Sequence, residues 1–508
     1  MSGPFITRRR FLVLAGGTAG AAAGGGLLLA SRDDPPSIVT AGSPRVAAVE
    51  QRRRRQGAAI TDVAFAAAPL TASTAAGRQT WAYGDTVPGR EIRMRAGSVL
   101  RAAFTNDLPE PTTVHWHGIA LRNDMDGVPG VTQPPVAPGE RFDYEFTAPD
   151  PGTYFFHPHV GPQLDRGLYA PLIVEDPNEP GDYDRELVLV LDDWLAGADP
   201  DTVLAELRDS GMGGMDMGSD DTGMDMGDGG MDMGPSGLGM DVGDVDYPTY
   251  VINGRPPEDP FTFEASRGER IRLRIINAGS DRPFRFAVGG HRLTVTHSDG
   301  FSIEPVTGDA VLLGMGERYD AVITLAVDGA IPVVALPEGG TSGGLAVIRT
   351  ATGTAPTPDV RPAELEGRLL TLADLRATEG VTLPPRTPDR TLDFRLAGDM
   401  DSYRWTLNGR PFHESQLRNA DHQLREGDRV RLRFENRSPM FHPMHLHGHT
   451  FQVQHQDGPG ARKDTAIVRP METVTADFEA DNPGQWALHC HNIYHAEAGM
   501  MTVLSYVR

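Results

Sequence analysis

Gly97-Ser-Val-Leu-Arg-Ala-Ala-Phe-Thr-Asn106, Gly268-Glu-Arg-Ile-Arg-Leu-Arg-Ile-Ile-Asn277 and Gly427-Asp-Arg-Val-Arg-Leu-Arg-Phe-Glu-Asn436 are three copies of one pattern. Each is a turn glycine, an alternating stretch and an asparagine nine positions on. Period-two alternation is the signature of a strand with one buried face. The copies are spaced by about one β-sandwich, so the repeat predicts an all-β chain of three Greek-key β-sandwich domains. The length of 508 residues suits that number of domains, and abundant glycine (59) and proline (41) suit short turns between strands. Turn- and proline-rich stretches near 180 and 356 set the boundaries. The domains then run over 55–180, 183–355 and 360–508.

The net charge of −22 argues against nucleic acid or an anionic membrane surface as a partner. Thr7-Arg8-Arg9-Arg10-Phe11-Leu12, followed by a glycine- and alanine-rich apolar stretch to Ala30, reads as a bacterial twin-arginine export signal. Signal and linker occupy 1–45, and the destination is periplasmic, cell-surface or extracellular. The basic run Arg52 to Arg55 reads as solvated linker. A single cysteine, Cys490, forbids an internal disulfide despite the oxidising destination.

Counting eighteen residues from each glycine separates the domains by decoration. The first count opens His115-Trp116-His117-Gly118, the third opens His445-Leu446-His447-Gly448, and the second meets Phe286. Further on, domain one carries His157-Pro158-His159, and domain three carries His489-Cys490-His491 at the equivalent place. Residues i and i+2 of a strand share a face, so each His-x-His pair aims two imidazoles the same way. One such pair suits a zinc site or a surface accident. Four at matched offsets in a duplicated frame supply eight imidazoles that converge if domains one and three face each other.

Cys490 points to the face opposite its two neighbours. His442 lies three residues before His445, and His495 and Met500 lie five and ten residues after Cys490. Two imidazoles, a thiolate and a weak thioether make a trigonal blue-copper set. The two metal sites would then lie on either side of one strand, about 10–15 Å apart given two side chains reaching opposite ways.

These four motifs are the signatures of the multicopper oxidases, and from about residue 60 onward the chain resembles bacterial laccase-like and copper-resistance oxidases of three cupredoxin domains. The resemblance implies four coppers per chain. His442, Cys490, His495 and Met500 would hold type 1 copper, and His115 and His445 type 2. His117, His157 and His491 would hold one type 3 copper, and His159, His447 and His489 the other. It also implies one-electron oxidation of a substrate, phenolic or Cu(I), coupled to reduction of dioxygen to water. Asp126 matches the proton-delivering acid that relatives carry eleven residues after the first histidine; an Asp-Gly turn residue is the alternative reading. Many relatives place glutamate directly after the histidine that corresponds to His495, where this chain has Ala496 and then Glu497.

Residues 211 to 241 hold eight of the eighteen methionines in near-repeats of Met-Asp-Met-Gly. Such a stretch cannot build a core, and its thioethers are soft ligands that select Cu(I). A copper-storage protein for copper tolerance is therefore the alternative function, and a biased linker the plain one. Copper nitrite reductase fits less well, since such proteins usually have two sandwiches per chain. Three domains in one chain suffice for an inter-domain cluster, so a monomer is expected.

Overall fold

The computed structural model describes residues 37–71, 79–179, 181–210, 237–238, 242–399, 402–413 and 417–508. The export signal lies outside them, as does the methionine-rich run apart from residues 237 and 238. Strands dominate, arranged as three pairs of sheets. In domain one, the sheet Gln79–Tyr83, Ile60–Thr71, Val99–Asn106, Arg141–Thr147 faces the sheet Ile92–Arg95, Ala170–Glu175, Gly152–His157, His115–His117. Domain two has two six-stranded sheets, and domain three one of six and one of five. These are cupredoxin-like sandwiches. Among the described residues, no helix is long and apolar enough to cross a membrane.

The repeated segment is the same strand each time. Val99–Asn106, Arg270–Asn277 and Arg429–Asn436 each pair parallel with the strand that opens their domain and antiparallel with a later one. The terminal asparagine recurs because it clamps the next turn. Asn106 donates to Glu110 O and Val136 O and accepts from Leu108 N. Asn277 does the same with Arg282 O, Leu313 O and Gly279 N, and Asn436 with Met440 O, Val468 O and Ser438 N. All three are buried, so the amide satisfies backbone groups that water cannot reach.

One-face burial holds least well in the middle copy. From Ile271 to Asn277 every residue is buried. Its outward arginines are covered where domains one and two meet: Arg274 bonds Thr153 and Asp320, and Arg272 bonds Asp320. Alternation reports a solvated face only when no other domain lies upon it.

The region read as linker is also structured. Pro44–Arg53 is a helix, N-capped by Ser43 and with proline in its first turn. Glu50, buried, accepts from Thr147 N and Oγ1, and Arg53 reaches Ala120 O. Ahead of the helix, Ile38 bridges Val507, and Val39 N donates to Tyr506 O at 2.8 Å. Of the basic run, Arg53 and Arg54 are therefore packed and paired rather than solvated linker. The contact partners lie from 67 residues away, for Arg53 and Ala120, to the far end of the chain, for Ile38 and Val507, which local composition cannot reveal.

Candidate metal centre

The His-x-His pairs are set opposite each other by strand register. His115 pairs with His157 in domain one, and His445 with His489 in domain three. Across the boundary between the domains the rings meet face to face: His115 on His447 at 3.8 Å between centroids, and His117 on His445 at 3.9 Å. Ligand atoms fall into compact groups with every member within 4.8 Å of the others. These are His115, His117 and His445; His117, His157 and His491; His159, His447 and His489; His442, Cys490 and His495; and His115, Asp126 and His447. The structure thus brings together every histidine that the sequence pattern singled out. In domain two, Phe286 stands in the corresponding strand as a fully buried core residue.

The donor set fits a metal, as its buried lone pairs show. His115 Nδ1 bonds Asp126 O at 2.9 Å, His157 Nδ1 bonds Pro158 O at 2.8 Å and His489 Nδ1 bonds Cys490 O at 2.8 Å. Such bonds set the tautomer and leave a lone pair on the other ring nitrogen for a metal. His115 Nε2, His117 Nδ1, His157 Nε2, His445 Nε2 and both nitrogens of His491 are buried without a hydrogen-bond partner. Buried polar atoms are otherwise nearly always satisfied, so this many unpartnered ring nitrogens in one place fit a metal ion as their partner. Burial first, and then neighbouring imidazoles, push the pKa of His157, His159, His447, His489 and His491 well below the ordinary value. The rings are therefore neutral, the form that binds metal.

Cys490 lies on the other side of its strand. Its Sγ is 3.7 Å from both His442 Nδ1 and His495 Nδ1, which are 3.2 Å apart. A trigonal metal with bonds of about 2.0–2.3 Å has ligand-to-ligand edges of about 3.5–4 Å, close to this triangle. Burial pushes the Cys490 thiol up, so without a cation it stays protonated. Met500 is fully buried next to this group; its N–H donates to His495 O at 2.9 Å and its carbonyl accepts from Cys490 N at 3.0 Å. Asn492, directly after the His-Cys-His motif, caps the short helix Ile493–Glu497 by accepting from Tyr494 N and His495 N. That cap carries His495 round to face the thiol.

Asp126 stands in a turn before Gly127, with its carboxylate facing two ligand rings. Gly127 has φ +83°, and a Cβ there would meet Val114 O at 2.0 Å, so only glycine fits the position. The resulting turn lays the fully buried Asp126 carboxylate 3.0 Å from His447 Nδ1 and 3.2 Å from His115 Nδ1. Glu497 and Ala496 line a small cavity together with His157, His159, His489 and His491, and burial raises the pKa of Glu497.

Several residues that support the donor rings carry no motif. Ser438 Oγ is 2.7 Å from His442 Nε2, and Asp244 Oδ2 is 2.8 Å from His495 Nε2 while accepting from Tyr403 OH at 2.6 Å. Asp464 Oδ1 is 3.1 Å from His117 Nε2, and its backbone carbonyl is 3.0 Å from His445 Nδ1. Burial opposes ionisation of Asp464, but the charge and hydrogen bonds of Arg318, with those of His117 and His445, hold its carboxyl well below the usual range. The one local signal among these is Ser438, which lies two residues past the repeated asparagine.

Comparison with known proteins agrees with this donor set. Three family profiles described as multicopper oxidase match residues 66–179, 185–331 and 385–507. Multicopper oxidase MmcO of Mycobacterium tuberculosis is 46% identical over 431 residues, covering 84% of this chain and 83% of that protein. Copper resistance protein A of Escherichia coli is 27% identical over 84% of this chain and 89% of its own length. A multi-copper oxidase from Pseudomonas thermotolerans superposes with a TM-score of 0.69 at 30% identity, covering 89% of this chain and all of that one. The chain belongs to the multicopper oxidase family and is a copper-binding oxidoreductase.

Proposed function

We propose that this enzyme takes electrons singly from a reduced substrate at the Cys490 site and delivers four of them to dioxygen at the histidine cluster, forming water. Bound copper supplies the one-electron redox chemistry and the oxygen-binding centre, and everything else falls to the chain. The observation that carries this reading is one strand, Gln485–Cys490, continuing into His491. Cys490 Sγ belongs to the donor group of His442 and His495, while His489 and His491 belong to the two three-histidine groups on the other side. Two peptide units therefore connect the sites covalently. As in the family, four coppers per chain are proposed, with His442, Cys490, His495 and Met500 as type 1 ligands, His115 and His445 as type 2, and the two triplets as type 3. The buried Asp126 carboxylate, between two ligand rings, holds and passes protons to the oxygen site.

The candidate reductants are Cu(I) and phenols. Some relatives are named copper resistance proteins and others laccases, which favours one each. On the side of Cu(I), residues at both ends of the methionine-rich run touch the Cys490–Met500 turn. Arg208 donates to Glu497 O at 2.5 Å, and Asp244 holds His495. Soft thioethers in the intervening run, which lies outside the described residues apart from 237 and 238, would collect Cu(I) and feed it to the Cys490 site. The same run supports the second reading, copper storage. Twin-arginine export and a monomeric enzyme complete the proposal.

The purified protein should be blue, carry about four coppers per chain and consume oxygen with Cu(I) or a phenol. Cys490→Ser should abolish both colour and oxygen uptake; a colourless variant that still turned over would overturn the electron path. Deleting residues 211–241 should slow Cu(I) oxidation more than phenol oxidation. Copper tolerance maintained without any oxygen consumption would favour storage instead.

A further inference from the structure

We infer that Arg318, from the domain without ligand histidines, is the positioning residue that orients the type 2 and type 3 ligand rings through Asp464; this rests on the copper assignments proposed above. Arg318 is fully buried and begins the strand Arg318–Thr324 of domain two. Its guanidinium meets all three domains. Nε donates to Thr153 O of domain one at 3.0 Å, and one terminal nitrogen donates to Gly316 O of its own domain at 3.0 Å. The two terminal nitrogens grip the Asp464 carboxylate of domain three side by side, at 2.7 and 2.6 Å. A planar fork holds a carboxylate in one orientation, which a point charge does not.

Asp464 transmits that orientation. Oδ1 accepts at 3.1 Å from His117 Nε2, in a type 3 triplet, and lies 3.4 Å from Nδ1 of His445, in the type 2 pair. Thr465 Oγ1 donates to the same oxygen at 2.8 Å and lies 3.0 Å from His445 Nδ1 and 3.2 Å from His117 Nε2. The carboxylate thus fixes the ring of His117, while the backbone carbonyl of Asp464 and the hydroxyl of Thr465 hold that of His445; outer partners of this kind set ligand orientation and basicity.

Two glycines independently mark the space the clamp needs. A Cβ on Gly118, the residue that closes His-Trp-His-Gly, would lie 2.5 Å from an Arg318 terminal nitrogen and 2.6 Å from Asp464 Oδ2. A Cβ on Gly316 would lie 2.7 Å from His491 Cδ2 and 2.9 Å from His117 Cε1. The domain-two loop therefore lies directly against the cluster, and the motif glycine of domain one is kept bare for the guanidinium.

The test compares wild type with Arg318→Lys and with the charge-neutral pair Arg318→Met plus Asp464→Asn, which removes one buried charge of each sign and leaves Asp299 paired with Lys463, protecting folding. Copper per chain, the blue absorption, the type 2 electron paramagnetic resonance signal and the melting midpoint are read for each. The neutral pair should retain blue absorption but hold the non-blue coppers about 10- to 100-fold less tightly, with altered type 2 hyperfine splitting. Arg318→Lys should restore the charge but not the splitting. Variants with a lowered midpoint and unchanged copper content and splitting would make Arg318 a tie between domains only, overturning the inference. A wild-type protein lacking the type 2 signal would instead overturn the functional reading, and this inference with it.

Discussion

Removing copper should make the protein acid-labile over a narrow window near pH 6. Eight candidate ligand rings, those of His117, His157, His159, His442, His445, His447, His489 and His491, have pKa values lowered in the fold, in each case chiefly by burial. A histidine kept neutral by folding contributes stability above its unfolded pKa of about 6.5, and that contribution is lost as pH falls below it. Between pH 7.5 and 5.5 each ring costs about 1.4 kcal/mol, so eight cost up to about 11 kcal/mol. Buried carboxyls work in the opposite direction: burial raises Asp165 and Asp192 well above the usual range and pushes Asp281 up to about 7. Acidification over the same range returns about 2 kcal/mol at Asp281 and up to about 2.7 kcal/mol at each of the other two. The balance, about 4 kcal/mol, is a large fraction of a typical total stability. With an unfolding entropy of about 2 cal/mol/K per residue, a chain of this size loses roughly 1 °C of midpoint per kcal/mol, so the midpoint should fall by about 4 °C. The assay is thermal unfolding of chelator-treated protein at pH 7.5 and 5.5, beside the copper-loaded form. Bound copper demands neutral rings and should suppress most of the shift at pH 5.5. A copper-free midpoint that moved by less than about 2 °C would refute the claim that these rings are held neutral by the fold.

Asp244→Ala removes the acceptor for His495 Nε2 and for the Tyr403 hydroxyl; turnover should fall about 10- to 100-fold with folding intact, and an unchanged rate and blue band would count against its role. Gly316→Ala places a methyl against His491 and His117 at a positive φ, so it should cost about 1–3 kcal/mol and release copper from the cluster while the blue absorption persists, as metal analysis and melting would show. Asn436→Ala deletes a buried amide that serves Met440 O, Val468 O and Ser438 N. It should cost about 3 kcal/mol in denaturant unfolding and, because Ser438 supports His442, weaken the blue band too; a stable, fully blue variant would show that the turn does not depend on the amide.

The sequence by itself determined the three sandwiches, because strand alternation and turn glycines are local properties repeated three times. It also determined that each His-x-His pair presents two rings on one face and that Cys490 faces away from His489 and His491, since a strand's period is two whatever surrounds it. The tertiary structure alone decided what those rings meet. The stacking of His115 on His447 and of His117 on His445 joins residues more than three hundred positions apart. Asp244 reaches His495 across 251 positions, and Arg318 reaches Asp464 across 146. Contacts at such separation leave no periodic trace in the chain, because the domains supplying them fold on their own local patterns and meet only when docked. For the same reason the middle domain, bare of ligand histidines in its sequence, shows its part in the copper site only where Gly316 and Arg318 lie against domains one and three.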